Sequence, residues 1–459
     1  MKRDRNLDRD KIDFADGKIG KIFRAIFFPT LVGMIFNTAL TIIDGIFVGH
    51  GVGSNGIAAV NIVAPIFLVT TGIGLMFGIG SSVIASIRLS EDNVKAARII
   101  LTQAMLIGAV IMGLFTVLCL AIPHQLVRFL GSSAVLEDYG VSYMVWLAPG
   151  LIFLFAECVG MMLIRLDGSP KYAMWVQIIA AVVNIFLDWL MIFPLGWGLM
   201  GAAFATSIAC GCGGLMVLAY FVWFSDKLRF YRLKCTVTSL LLTARNVWYM
   251  MKIGFATFLT ELAMSIMMLT GNYMFMSMLG EAGVAAFAVA CYLFPFVFSA
   301  SNAVAQSAQP IISYNYGAGN MARVGQTLRV SLLTAIVCGV VINLTLWLFA
   351  PAVAFWFLDP SEAAYGLAVK GLPLFSTCAV FFAVNIALIG YYQSIEKALT
   401  STVYTLLRGV ILLVPSFILL PRILGEAGLW LAIPSAEILT CAVIVAGYLL
   451  FSRQRKPRR

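Results

Sequence analysis

Residues 53–59 read Gly-Ser-Asn-Gly-Ile-Ala-Ala, and residues 280–286 read Gly-Glu-Ala-Gly-Val-Ala-Ala. The offset that carries Gly53 onto Gly280 also carries Pro194, Gly198 and Gly201 onto Pro421, Gly425 and Gly428, and Asn93 onto Asn320. Gly, Pro and Asn punctuate a chain because each favours turns and element ends for its own backbone reason. Their return at one spacing marks a duplication. Each copy is expected to place the first motif between its first and second apolar runs, and the Pro-Gly motif between its fifth and sixth.

Those runs decide the class. Of 459 residues 61% are hydrophobic and 11% charged, which excludes a soluble globular protein. A bilayer core takes about 20 helical residues to cross. The apolar stretches predict twelve spans: Ile22–Val48, Ala58–Ile87, Ile99–Ile122, Tyr139–Ile164, Tyr172–Phe193 and Leu199–Phe224 in the first half, then Tyr249–Leu279, Val284–Tyr314, Thr327–Leu358, Leu367–Tyr391, Leu399–Leu420 and Ala427–Phe451. The expected fold is thus an all-α integral membrane protein with twelve transmembrane helices in two six-helix pseudo-symmetric lobes. Residues 1–21 form an N-tail, 22–224 the N-lobe, 225–248 a charged cytoplasmic linker, 249–451 the C-lobe and 452–459 a basic C-tail. Six is even, so the lobes share one orientation about an axis along the membrane normal.

Lys and Arg accumulate on the cytoplasmic side of short loops. With both tails on one side, that side carries most of the 31 basic residues, and the other carries only Arg128, Lys370 and Arg422. Both termini are expected to be cytoplasmic. The formal charge of +10 is then a topology signal with attraction to anionic headgroups, and no nucleic-acid partner is expected. The N-terminus lacks the pattern of a cleavable signal. Nine cysteines lie mostly singly and the two histidines, His50 and His124, lie on the outer side, so neither a disulfide framework nor a metal site is expected.

Five carboxylates stand within the spans, Asp44, Glu157, Asp188, Glu261 and Glu437, against one arginine placed at membrane depth, Arg408. A central acid costs about 2.5–3.5 kcal/mol on insertion scales, and such residues mark ion or substrate paths. Polar residues also collect on helix faces. Asn37, Thr41 and Asp44 share one face of the first span, and Gln177, Asn184 and Asp188 one face of the fifth. The seventh span has Glu261, Ser265 and Asn272; the eighth has Asn302, Gln306, Gln309 and Ser313. If Asp44 and Asp188 meet, they can share a proton, or form an oxygen cage for Na⁺ with Asn184 and a hydroxyl. Proton uptake would relieve a repulsion and bias helix packing. Pro29 is a candidate hinge in the first span, since proline removes a helix hydrogen bond.

Over nearly its full length the chain resembles the multidrug and toxin extrusion (MATE) transporters. The resemblance rests on the duplicated layout, on Pro29 and Asp44, on Asn184 and Asp188 four apart, and on the turn motifs above. It implies a cation site made by Asp44, Asn184, Asp188, Tyr143 and Thr206, with Glu261 and Asn272 coupling or binding substrate in the second lobe. Asn37, Thr41, Gln177, Asn302, Gln306 and Gln309 would line the cavity. Where some family members carry an Asp in the tenth span this chain offers Asn385, which disfavours a second-lobe Na⁺ site. The implied function is secondary antiport: export of amphipathic organic cations (multidrug efflux) for H⁺ or Na⁺, by alternating access, in a bacterial or archaeal plasma membrane. The partners are small cationic substrates and membrane lipids, the protein is expected to be monomeric, and no cofactor is needed beyond the coupling ion. The methionines of the seventh span suit an adaptable apolar wall.

Three other functions fit less well. Gly51-Val-Gly-Ser-Asn-Gly56 has the glycine spacing of a dinucleotide fingerprint, but it follows a membrane span, and no phosphate loop for ATP exists, so no enzyme is expected. A lipid-linked oligosaccharide or lipid flippase is the nearest alternative, yet its diphosphate cargo asks for basic residues where this interior shows acids. A major-facilitator antiporter lacks its usual loop motif in residues 88–95.

Overall fold

A computed structural model describes residues 12–134, 136–234 and 236–454; the first eleven residues of the expected N-tail and the last five of the C-tail lie outside them. Among the described residues every regular element is a helix. The elements are α1 (Ile19–Gly51), α2 (Ser54–Ser90), α3 (Val94–Ala121), α4 (Pro123–Phe129), α5 (Glu137–Leu166), α6 (Pro170–Ile192), α7 (Gly198–Ala219), α8 (Val237–Gly317), α9 (Met321–Leu348), α10 (Ala350–Phe355), α11 (Ala363–Ser376), α12 (Cys378–Ser394), α13 (Ala398–Leu406), α14 (Leu413–Leu424) and α15 (Glu426–Gln454). Among the described residues eleven helical stretches are long and apolar enough to cross a membrane.

The longest, α8, has 81 residues. At 1.5 Å per residue it would reach about 120 Å, roughly four times a hydrocarbon core. It is two helices joined at a kink, where Gly280 leaves helical geometry at φ 64° and ψ −155°. Gly53, its counterpart in the duplication, caps α2 at φ 87° and ψ −167°. The second repeated motif behaves alike: Gly198 and Gly425 also take positive φ, 54° and 60°. L-residues are strained there, so the repeated glycines are kept by backbone geometry. The repeated asparagines are N-caps. Asn93 Oδ1 accepts from the Ala96 N–H at 3.0 Å, and Asn320 Oδ1 from the Arg323 N–H at 3.2 Å.

Several expected spans are interrupted. The ninth, read as Thr327–Leu358, ends as α9 at Leu348, and short α10 begins at Ala350 with Pro351 in its first turn. Proline cannot donate to the preceding turn, so the helix restarts there. Likewise Pro123 separates α4 from α3. The eleventh contains a π-helical stretch, Leu407–Ile411, between α13 and α14, and the sixth ends in another, Tyr220–Phe224.

The chain divides into two compact units, Met1–Phe258 with Pro310–Val324, and Leu259–Gln309 with Gly325–Arg459. In the first, α5 packs against α2, α3 and α7, while α6 packs against α1 and α7. In the second, α15 packs against α11, α12 and α14 around an aromatic core. There Phe275 stacks on Phe287 at 4.6 Å and meets Trp430 edge-on at 4.9 Å.

The segment after α7 is tied to the first unit. Asp167, just beyond α5, accepts hydrogen bonds from the Tyr220 and Ser225 hydroxyls, both at 2.8 Å, and from the backbone N–H groups of Asp226, Lys227 and Leu228. Arg98 Nε donates to the Lys227 carbonyl at 2.7 Å, and the Tyr231 N–H to Thr102 Oγ1 at 2.9 Å. Helix α8 then starts at Val237, within the stretch 225–248 expected as linker.

Candidate functional site

Helices α1 and α6 lie side by side, and one sequence offset relates two contacts along their seam. Near one end the Gln177 side chain rests against Gly33. Farther along both helices, the Asp44 and Asp188 carboxyls face one another, close enough to interact electrostatically. Equal offsets at both levels mean that the helices run parallel and in register. Each acid sits one level above a partner of the seam, which is why the two carboxyls meet.

Around this pair the structure brings together the residues named from the sequence. Asp188 is wholly buried and Asn184, one turn away on α6, is 2% exposed. Asn184 Nδ2 donates to Thr206 Oγ1 of α7 at 3.5 Å, and that hydroxyl donates to the Ala202 carbonyl at 3.0 Å. Tyr143 of α5 is buried within electrostatic reach of both carboxyls. Asp44 Oδ1 and both oxygens of Asp188 take no hydrogen bond of good geometry. A buried carboxylate normally finds a donor or a cation. Four helices therefore converge on acceptor oxygens without a donor, an arrangement that suits a proton or a small cation.

Other candidates lie elsewhere. Asn37 and Thr41 are exposed on α1, with the Thr41 hydroxyl turned back to the Asn37 carbonyl at 3.2 Å. Glu261 is buried and Asn272 exposed, both on α8 in the second unit. Asn302, Gln306 and Gln309 are buried, and Asn302 Nδ2 bonds the Phe298 carbonyl of its own helix at 3.0 Å. Pro29 sits inside an unbroken α1. Of the α8 methionines, Met267 joins the aromatic core with Met264 and Met274 against it, while Met268, Met276 and Met278 are exposed.

One of the five acids has a basic partner. Glu437 is paired: Arg408 Nε lies 2.9 Å from its Oε1, and Asn385 Nδ2 donates to its Oε2 at 2.7 Å and to its backbone carbonyl at 2.9 Å. Arg408 stands in the π-helical stretch, its guanidinium 4.3 Å from the Phe382 ring centroid. Nor is Arg408 the one buried base, since Arg165 in the last turn of α5 is 2% exposed. Glu157 packs beside Gly213 of α7, in the surroundings of Cys210 and Cys212. Among the described residues no group of three or more His, Cys, Asp or Glu could hold a metal ion. The sequence reading missed Asn385 as the partner of Glu437, and Thr30, whose hydroxyl is buried without a partner on the α1 face shared with Gly33.

The MatE family profile matches residues 29–190 and 256–418. The chain belongs to the MatE family. The two matches begin at the spacing of the internal repeat, and a MatE protein is a transporter in the membrane, not an enzyme. The chain is 24% identical over 428 residues to the multidrug export protein MepA of Staphylococcus saprophyticus, covering 93% of this chain and 92% of that one. It is also 24% identical over 461 residues to an FAD transporter of Shewanella oneidensis, covering 98% of both. Among solved structures, a MOP superfamily transporter from Pyrococcus furiosus superposes with a TM-score of 0.87 at 22% identity, over 96% of this chain and 98% of that one.

Proposed function

We propose that this MatE protein is a secondary active antiporter that exports amphipathic organic cations in exchange for H⁺ or Na⁺ by alternating access. The observation that carries this reading is the Asp44–Asp188 pair, in which Asp44 Oδ1 and both oxygens of Asp188 are buried without a donor. With the cation bound, the repulsion across the α1–α6 seam is discharged; with it released, the acids are left desolvated and repel. Cation binding thereby favours one packing of α1 over another, and coupling requires only that differential affinity. Asn184, Thr206 and Tyr143 complete the oxygen and amide shell, Glu261 and Asn272 act on substrate in the second unit, and exposed Asn37 and Thr41 line its path. Buried Asn302, Gln306 and Gln309 hold the polar face of α8, and Pro29 is the flexing point of α1.

The two arms of α8, counted separately, bring the spans to twelve, in two six-helix lobes of like orientation with both termini cytoplasmic, in the plasma membrane of a bacterium or archaeon. The protein works as a monomer. Multidrug export by the relative MepA supports the export of varied small molecules. An equally similar relative named for FAD favours an anionic cargo, and buried Arg408 does not answer it, since its charge is held by Glu437.

The deciding experiment is transport in proteoliposomes of a fluorescent organic cation and of FAD, each under a pH gradient and then a Na⁺ gradient. Gradient-driven movement of the organic cation supports the proposal and identifies the coupling ion. Movement of FAD alone would replace it with anion export.

A further inference from the structure

A second group of unsatisfied oxygens lies on the same seam as the acid pair. Thr30 Oγ1 and Gln177 Oε1 are buried and have no hydrogen-bond partner, and Thr30 is 1% exposed. Threonines in these helices commonly bond back to a carbonyl one turn earlier: Thr38 to Met34 at 3.0 Å, Thr41 to Asn37 at 3.2 Å, Thr70 to Ile66 at 2.9 Å. Thr30 does not. Gln177 reaches α1 only because residue 33 has no side chain; a Cβ at Gly33 would overlap its Oε1. Between them, Pro29 offers no N–H to the carbonyl of Ala25, one turn earlier. A hydroxyl and a side-chain amide oxygen are thus left without donors on one face of α1, next to a proline that removes one donor from the helix backbone. Buried acceptors are normally satisfied, so such a cluster asks for a ligand that brings positive charge.

We infer that Thr30 and Gln177, beside the gap that Pro29 leaves in the helix hydrogen bonds, form an oxygen-lined way station for the coupling cation, a hydrated proton or Na⁺, on the α1–α6 seam between the Asp44–Asp188 pair and the N-terminal ends of those helices. The inference rests on reading the acid pair as the coupling site. The two levels are eleven residues apart on both helices, about 16 Å of rise. The station is neutral, so it holds a cation more weakly than the acids do and passes it on, as conduction between sites requires. Gly33 is a positioning residue that keeps Gln177 in place.

The test is charge movement by reconstituted protein on a solid-supported membrane after a pH jump and, separately, a Na⁺ jump, with equilibrium binding of a fluorescent organic cation measured alongside. The jump that elicits current tells a hydrated proton from Na⁺. The double variant Thr30→Val with Gln177→Leu is expected to slow the charge movement about tenfold, the scale of one lost polar contact, and Thr30→Val alone should keep substrate affinity within about twofold. Thr30→Ser and Gln177→Asn should retain most of the rate, and Gly33→Ala should slow it as the double variant does. Wild-type rates in both the double variant and Gly33→Ala would overturn the station, with the coupling reading intact provided Asp188→Asn abolishes the movement. Undiminished movement in Asp188→Asn would overturn the coupling reading and the station with it.

Discussion

Arg408 and Glu437 form an ion pair of 2.9 Å in which each side chain is 5% exposed, whereas Asp44 and Asp188 share a seam with no base between them. The two pairs thus treat buried charge in opposite ways. In the first of these, the Arg408 guanidinium and the Asn385 amide satisfy Glu437, and the Phe382 ring covers the guanidinium, which leaves the acid a structural element. In the second, Asp44 Oδ1 and both oxygens of Asp188 have no hydrogen-bond partner.

Breaking the structural pair should destabilise the fold. Glu437→Gln or Arg408→Leu alone strands a buried partner, which typically costs about 3–5 kcal/mol. The double variant Arg408→Met with Glu437→Leu, which removes both charges, should recover most of that loss. Thermal unfolding in detergent micelles checks this, and equal loss in single and double variants would contradict it.

Asp167→Ala should release the segment that follows α7. That carboxylate accepts from two hydroxyls and three backbone N–H groups, and hydrogen bonds to a charged acceptor are worth about 1.5–3 kcal/mol each when singly removed. Limited trypsin digestion should then cut at Lys227, Arg229 or Arg232 at least about tenfold faster than in the parent, a change of about 1.4 kcal/mol in opening where cleavage follows the open population. An unchanged cleavage rate would mean that Arg98 and Thr102 hold the segment without it.

The repeated glycines should resist substitution in both halves. Gly53→Ala and Gly280→Ala force a Cβ into a region used almost only by glycine, at about 1–3 kcal/mol each, although neither position is crowded. Paired melting curves should show similar losses, because the two positions carry the same backbone geometry. A neutral Gly280→Ala would mean that the kink in α8 is set by packing instead.

What was legible in the sequence is what local chemistry decides. Gly53, Gly280, Asn93 and Asn320 act within a turn of themselves, so their repetition could be read directly. Asn184 and Asp188 share a helix face by periodicity alone. Features that depend on one helix meeting another were hidden: the Arg408–Glu437 pairing, which opposite charge alone leaves open, and the share Asn385 takes in it. The π-helical stretch at Leu407–Ile411 hides one extra residue inside an ordinary apolar run, and the orphaned hydroxyl of Thr30 shows only once the surrounding contacts are known. Pro351 did announce a break, within a run whose apolarity argued for continuity, and the backbone rule prevailed.

The central claim is that the Asp44–Asp188 pair couples cation entry to export, and Asp188→Asn tests it most directly. Proteoliposomes carrying parent or variant protein would be loaded with a fluorescent organic cation and given a pH or Na⁺ gradient, with folding of both proteins confirmed by their melting curves. Gradient-driven transport is expected of the parent, with at least about a hundredfold loss in the folded variant, equivalent to about 2.7 kcal/mol of coupling. Parent-like transport by a folded Asp188→Asn protein would contradict that claim.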